Sequence, residues 1–318
     1  MSTTDWGLVG DIGATYARFA LVQPDGKLSN MRAIPCKDYA SIGDALSAYL
    51  GEIGGAPPTQ AVLAVASSPM GDKVSLTNSP WTFSIEELRQ RTGMPHLSVV
   101  NDLYAHAAAV PHLSKEDRIQ VGSGVAVADA PVGIIAPGTG LGVGALVPAA
   151  SGPLPLGGEG GHVTMPPADA RESAVLDLVR RRYDHVSAER VLSGPGLMNL
   201  YNALCDLSKT PASPLTAIQI TDPRRGATDA CAQEATDMFC AMLGTVAGNL
   251  ALTLGARGGI YIAGGIIPKL GDRFAQSQFR ARFEAKGRFR GYLATIPTYV
   301  IMHPWIGLLG ASKLLNRA

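Results

Sequence analysis

Residues 9–21 read VGDIGATYARFAL. An apolar run ends in Gly10-Asp11-Ile12-Gly13, turns, and climbs at once into a second apolar run. Glycines at the end of a strand let backbone N–H groups approach an anion closely and tolerate left-handed conformations. Here an aspartate stands between them and no lysine follows. This strand-turn-strand pattern excludes two common phosphate loops. The chain has no G-x-x-x-x-G-K-[ST], and the dinucleotide turn requires a helix after its glycines. What remains is a hairpin phosphate loop, in which a carboxylate makes sense through Mg²⁺ held by water beside phosphate oxygens.

Two more glycine-rich segments follow apolar strands: Gly138-Thr139-Gly140-Leu141-Gly142 and Gly264-Gly265. One such segment is commonly only a turn. Three in one chain point to phosphate, because the ordinary explanation has to hold three times.

Outward from the opening hairpin, the first hundred residues read β-β-β-α-β-α-β-α. Trp6–Val9 and Thr15–Val22 are strand-like, and Pro24-Asp25-Gly26-Lys27 is turn chemistry leading to a third strand. A helix fits Ser41–Ile53, residues 61–68 form a buried strand, and DKVSLTN (72–78) is a short edge-like piece. Ser84-Ile85-Glu86-Glu87 is a capping box that opens a helix. Leu97–Val100 is another buried strand, followed by an alanine-rich helix.

After Pro111 the pattern restarts. Strands are expected over GVAVA (124–128), PVGIIAPG (131–138) and GLGVGALVP (140–148). Helices fit 170–183, 195–206 and about 227–254. GGIYIAGGI and TIPTYVIM give late strands, and Gly307–Asn316 a closing helix. The Pro/Ser/Thr-rich residues 208–226 read as a surface excursion. Two α/β units, each opening with a glycine-rich hairpin, predict two similar domains.

Composition narrows the function. A chain of 318 residues with 46% hydrophobic and 17% charged residues is a packed globular protein. A net charge of +1 gives no footprint for nucleic acid or an anionic membrane. The clusters Arg180-Arg181-Arg182 and Arg224-Arg225 fit solvated helix faces. Cys36, Cys205, Cys231 and Cys240 show no C-x-x-C spacing and no nearby histidine, as expected of reduced structural thiols. The N-terminus lacks a signal-peptide pattern and no uncharged run reaches membrane-span length, so a soluble intracellular chain is expected.

Three polar groups stand out. Asn101-Asp102 follows directly on an apolar strand, where open α/β sheets bind ligands. Either residue also fits a helix N-cap, and the two roles can coexist. Gly157-Gly158-Glu159-Gly160-Gly161-His162 places four glycines around one carboxylate and one imidazole, poor packing material that lets a ligand come close. His162 alone also fits a structural role, but its spacing from Glu159 suits joint ligand contact. A metal pair is disfavoured for want of a third ligand. In residues 186–196, Ser187 reads as a helix cap and Glu189 as an acidic first-turn residue. Ser193-Gly194-Pro195-Gly196 then reads as the end of that short helix.

LVGDIGATYARFAL, VVNDLYAHA, APGTGLGVG, GGEGGHVTMPP, VSAERVLSGPGLMNLY and IAGGIIPK stand in the order found in the bacterial glucokinases. The chain resembles that family, within the hexokinase-related, actin-like ATPase superfamily, over nearly its whole length. The resemblance implies an α/β fold of two actin-like/ribonuclease H-like α/β domains flanking a deep substrate cleft. The small domain would be 1–111, completed by the C-terminal helix at about 303–318, and the large domain 112–302. It implies ATP-dependent phosphorylation of D-glucose to D-glucose 6-phosphate. The alternatives are a kinase for another hexose, fructose or mannose, or a non-catalytic sugar sensor.

By the same resemblance Asp102 is the general base that takes the proton of the sugar 6-hydroxyl. Asn101, Glu159, His162 and Glu189 bind the remaining hydroxyls, Asn78 lines the sugar side, and Trp81 packs. Gly10, Asp11, Ile12, Gly13, Ala14 and Thr15, with Gly138, Thr139 and Gly140, resemble contacts to the phosphates of ATP and to Mg²⁺. Asp11 would hold the metal through water, and Gly264 and Gly265 form part of the adenosine wall. A cytoplasmic homodimer is implied, with D-glucose and ATP as its small-molecule partners.

Two residues depart from the family's usual D-[IV]-G-G-T-N-A-R. Ala14 replaces a glycine and Tyr16 an asparagine or histidine. Ala14 requires a backbone open to a residue with Cβ. The cysteine-rich zinc motif of the related repressor/kinase branch is absent after His162.

Overall fold

A computed structural model describes residues 6–55, 57–76 and 81–315. In chain order the strands are β1 (Gly7–Ile12), β2 (Tyr16–Val22), β3 (Leu28–Pro35), β4 (Gln60–Val65), β5 (Lys73–Ser75), β6 (Thr82–Ser84), β7 (His96–Asn101), β8 (Arg118–Val121), β9 (Val132–Pro137), β10 (Leu141–Val147), β11 (Leu154–Gly158), β12 (Gly259–Ile262) and β13 (Thr298–Ile301). The helices are α1 (Ile42–Ile53), α2 (Ile85–Thr92), α3 (Asp102–Ala109), α4 (Ala170–Arg180), α5 (Gly194–Ser208), α6 (Ala217–Thr221), α7 (Pro223–Gly226), α8 (Ala230–Leu254), α9 (Ile267–Leu270), α10 (Asp272–Gln276), α11 (Phe279–Glu284), α12 (Arg290–Ala294) and α13 (Ile306–Ser312). Contacts divide the chain into two compact units.

Unit 1 comprises Met1–Leu113, Gly144–Gly158 and His303–Ala318. Its five-stranded sheet has the order β3-β2-β1-β4-β7. β1, β4 and β7 run parallel, while β2 and β3 fold back antiparallel as the opening hairpin. Leu8, Val9 and Ile12 of β1 are wholly buried, as a central strand covered on both faces requires. One face packs Phe19, Leu46 and Tyr49 from the hairpin and α1. The other packs Val9, Val62 and Ala64 against Ala105 of α3 and Leu308 and Ala311 of α13. α3 and α13 touch at backbone distance: a Cβ on Gly310 would lie inside contact range of the Ala105 carbonyl. Ser84 caps α2 by accepting from the Glu87 N–H at 3.0 Å, as its sequence announces.

Unit 2 comprises Ser114–Val143 and Glu159–Met302. β9, β12 and β13 run parallel, and β8 adds an antiparallel edge to β13. The long α8 packs against α5 and α11. Gly244 and Gly248, one turn apart on α8, admit the α11 backbone; a Cβ there would meet the carbonyls of Phe279 and Phe283 at 2.2 and 2.6 Å. Among the described residues only α8 is long and apolar enough to cross a membrane, and two-thirds of its apolar window is buried inside the protein. Glu172, 2% exposed, is held by the Arg282 guanidinium at 2.8 Å and the Ala168 N–H at 2.7 Å, so its charge is fully partnered.

Three sequence expectations need correction. Residues 124–128 form no strand; Val125 is 81% exposed, and the edge strand is β8, whose Arg118-Ile-Gln-Val is half polar. Residues 208–226 contain α6 and α7, and Ile220 within them is wholly buried. Ser193-Gly-Pro-Gly does not end a helix but starts α5, with Ser193 accepting from the Gly196 N–H at 3.0 Å and proline in the first turn. The four cysteines are buried free thiols, and burial pushes that of Cys240 up to about 12.

Candidate active site

In unit 1 the hairpin register fixes the first group. Asp11 of β1 lies opposite Arg18 of β2. Arg18 Nη1 therefore reaches Asp11 Oδ2 at 3.2 Å, with the carboxylate 17% and the guanidinium 36% exposed. The turn between them closes through the Gly13 N–H, which donates to the Tyr16 carbonyl at 3.0 Å. None of Gly10, Gly13 and Ala14 has a positive φ. Gly10 is demanded instead by packing, since a Cβ would sit 2.7 Å from Leu63 Cδ2. Gly307 of α13 presses on the other side of Asp11, where a Cβ would lie 2.5 Å from Cγ.

Asn101 and Asp102 share the strand-to-helix junction. Asn101 is the N-cap of α3: its Oδ1 accepts the Leu103 and Tyr104 N–H groups at 3.0 and 3.2 Å, and its Nδ2 donates to the Ser67 carbonyl at 3.2 Å. Gly157 of β11 lets this side chain sit there, since a Cβ would approach Oδ1 to 2.5 Å. Capping thus falls to Asn101. Asp102, half-buried, opens the helix and accepts the Leu103 N–H through Oδ1 at 2.9 Å.

Unit 2 gathers a second set. The Gly138 N–H donates to the Gly140 carbonyl at 2.8 Å, and the Gly138 carbonyl accepts from Gly194 at 2.8 Å. Gly264, at φ +87°, packs where a Cβ would be 2.3 Å from the Pro137 carbonyl. The glycine loops at 138–140 and 264–265 and the N-terminus of α5 therefore converge. A helix N-terminus brings positive potential toward an anion, while here the Gly194 and Gly196 N–H groups are taken by the Gly138 carbonyl and Ser193 Oγ, and Pro195 has none. That third member escapes a sequence reading that takes Ser193–Gly196 as a terminator.

Beside this lies the carboxylate group of the unit. Glu189 Oε2 accepts the Leu141 N–H at 2.9 Å, and Ser193 Oγ donates to the Glu189 carbonyl at 2.8 Å. Ser187 occupies the N-cap position of this 3₁₀ turn without a side-chain capping bond. His162 Nε2 lies 3.8 Å from Glu159 Oε2. Two of the surrounding glycines have a packing cause: Cβ atoms on Gly160 and Gly161 would meet Val143 at 2.8 Å and the Leu141 carbonyl at 2.0 Å. A cavity of about 370 Å³ opens here, lined by His162, Tyr183, Asp184, Glu189 and Arg190 among others. The Arg190 guanidinium lies 4.1 Å from the Tyr183 ring centre.

The family model for glucokinase matches residues 8–318. The glucokinase of Paramagnetospirillum magneticum is 52% identical over 313 residues, covering 97% of each chain. That of Aromatoleum aromaticum is 48% identical over 98% of this chain and 95% of its own. The crystal structure of a glucokinase from an Antarctic psychrotroph superposes with a TM-score of 0.86 at 34% identity, covering 99% of both chains. The chain belongs to the glucokinase family. It is a mixed α/β protein of the actin-like ATPase fold.

Within a glucokinase-family chain the two departures in the opening motif find local explanations. Ala14 stands where the backbone does not enter the left-handed region, so a Cβ costs nothing there. Tyr16 begins β2 opposite Pro35 and is 44% exposed. Trp81 is buried and its Nε1 donates to the Tyr39 carbonyl at 3.1 Å, a packing role. Asn78 lies outside the described residues.

The donors fit magnesium sparingly. Among the described residues no group of three or more His, Cys, Asp or Glu side chains could hold a metal. Mg²⁺ commonly keeps its waters and takes one or two carboxylates plus substrate phosphates. Asp11, partly exposed and engaged by Arg18 through Oδ2, suits that pattern.

Proposed function

We propose that this chain transfers the γ-phosphoryl group of ATP to the 6-hydroxyl of D-glucose, giving D-glucose 6-phosphate and ADP. The observation that carries the proposal is the full-length glucokinase match, together with the two sets of groups that the fold assembles. In this reading Asp102 accepts the proton of the 6-hydroxyl as its oxygen attacks the γ-phosphorus. Asn101, already fixed as the α3 cap, holds the strand end on which Asp102 stands and binds a neighbouring hydroxyl. Glu159, His162 and Glu189 bind the remaining hydroxyls, and Asn78 belongs to the same sugar set.

In this reading backbone N–H groups at Gly10–Thr15 and those at Gly138–Gly140 are phosphate contacts, and the first turn of α5 adds positive potential rather than donors. Gly264 and Gly265 flank the adenosine. Asp11 would hold Mg²⁺ through water, and the ion, when bound, neutralises charge on the phosphate oxygens. The enzyme works in the cytoplasm as a homodimer.

Polar hydroxyl contacts discriminate strongly, because a mismatched sugar leaves polar protein groups unpaired. A coupled assay with glucose, fructose and mannose is expected to show glucose turned over fastest. Faster turnover of either other hexose would replace glucose as the substrate. Asp102→Ala is expected to lower kcat by roughly 10²–10⁴-fold, the contribution of a placed general base, while glucose still binds by calorimetry. Turnover close to that of the unaltered enzyme would remove Asp102 from the base role.

A further inference from the structure

We propose that Asn199 is a positioning residue for Glu189, fixing the turn from which that carboxylate meets the sugar. The inference rests on the reading of Glu189 as a hydroxyl-binding residue.

Glu189 stands in the short 3₁₀ turn Ala188–Arg190 of unit 2. On the N-terminal side, main chain does the holding. The Ala188 N–H donates to the Val163 carbonyl at 2.9 Å, and Thr164 pairs with Ser187 in an antiparallel bridge. On the C-terminal side the holding passes to side chains of α5. Carbonyls at the end of a helical turn find no partner within the turn itself. That of Glu189 accepts from Ser193 Oγ at 2.8 Å, and that of Arg190 accepts from Asn199 Nδ2 at 2.9 Å.

Ser193 has a second reason to stand where it does, because it also caps α5. Asn199 caps nothing. It is buried in the interior of α5 among Leu197, Leu200 and Tyr201. Asparagine is a poor helix former, since its side chain competes with the backbone for hydrogen bonds, and a buried amide costs free energy unless it is bonded. A leucine would suit the helix and its core better. Both ends of this amide are bonded: Tyr183 Oη donates to Oδ1 at 3.5 Å, which leaves Nδ2 turned to the Arg190 carbonyl. The Arg190 guanidinium lies back over the Tyr183 ring, closing a circuit of Asn199, Tyr183 and Arg190 next to Glu189.

Tyr183, Glu189 and Arg190 all line the cavity described above. The Leu141 N–H holds the Glu189 carboxylate itself, through Oε2 at 2.9 Å. Binding groups must be held to within about 0.5 Å to work together. A turn tied at both ends places Glu189 to that tolerance, and Asn199 supplies one of the ties.

Calorimetry and steady-state kinetics test the role. In Asn199→Leu, which keeps the bulk and removes the donor, kcat/KM for glucose is expected to fall about 10–100-fold, the scale of a displacement of about 1 Å in a site. Glucose binding weakens with it. The MgADP dissociation constant stays that of the unaltered enzyme, since the contact between Gly138 and Gly194 does not involve Asn199. Tyr183→Phe, which frees the amide to turn, gives a smaller loss of the same kind. The inference is overturned if Asn199→Leu binds glucose normally, or if glucose and MgADP weaken together, as removal of a general prop for α5 would make them do. Glu189→Ala separates the two layers. Normal glucose binding by that variant sinks the reading of Glu189, and with it this role for Asn199. Where Glu189→Ala weakens glucose binding, adding Asn199→Leu is expected to cost nothing more, and a full additive loss overturns the proposal. Should Asn199→Leu not fold, Tyr183→Phe carries the test, and unweakened glucose binding there overturns it.

Discussion

The turn at Asp11 in unit 1 and the turn at Gly138 in unit 2 follow the same kind of buried strand, yet they are built from different materials. The first is made of side chains. Its Gly10 serves packing and its backbone stays in ordinary regions, while its polar character rests on Asp11 and the arginine opposite it in the hairpin. The second is made of main chain. Gly138 bonds to Gly140 and Gly194, Gly264 fits only through a left-handed conformation, and the nearest positive potential is that of a helix end. A charged turn is tuned by substitution of one group. A backbone turn tolerates many side chains but no change of path.

Three substitutions test that contrast, in order of expected effect. Asp11→Asn keeps the shape of the first turn and removes its charge; kcat/KM for MgATP is expected to fall about 10–100-fold with little change in Tm. A large drop in Tm with normal kinetics would make Asp11 a structural ion-pair member instead. Gly264→Ala does the opposite, forcing a Cβ onto the Pro137 carbonyl at positive φ. Strain of about 1–3 kcal/mol is expected, read by chemical denaturation, with weakened nucleotide binding. An unchanged denaturation midpoint would show that the second turn relaxes freely. Ala14→Gly is the smallest. It relieves no strain and frees the unfolded chain, so stability falls by about 0.4–1 kcal/mol while KM for ATP stays constant. A lower KM would mean that the family's usual glycine serves phosphate binding after all.

Much of this was legible in the sequence, for identifiable reasons. The opening hairpin, the Ser84 cap and the strand before Asn101 are local signals: apolar runs, turn residues and a cap at fixed spacing. Register across that hairpin would also have paired Asp11 with Arg18, seven residues on, a signal available but unused. GVAVA looked like a strand because periodicity does not say whether a partner exists, and Val125 finds solvent. Ser193-Gly-Pro-Gly is ambiguous, because the residues that stop one helix also start the next, and only the Ser193 bond to Gly196 decides.

The wedge of α13 against Asp11 and Ala105 also sets a clock. Val9, Val62 and Ala64 on one face of the unit 1 sheet share their core with Leu308 and Ala311, near the far end of the chain. During synthesis everything from Ser114 to Met302 emerges in between, a delay of roughly 10–40 s at 5–20 residues per second. For that interval the sheet that carries Asp11 waits with one apolar face covered by α3 alone. The turn at Asp11, made well before α13, is among the last parts of its unit to be finished.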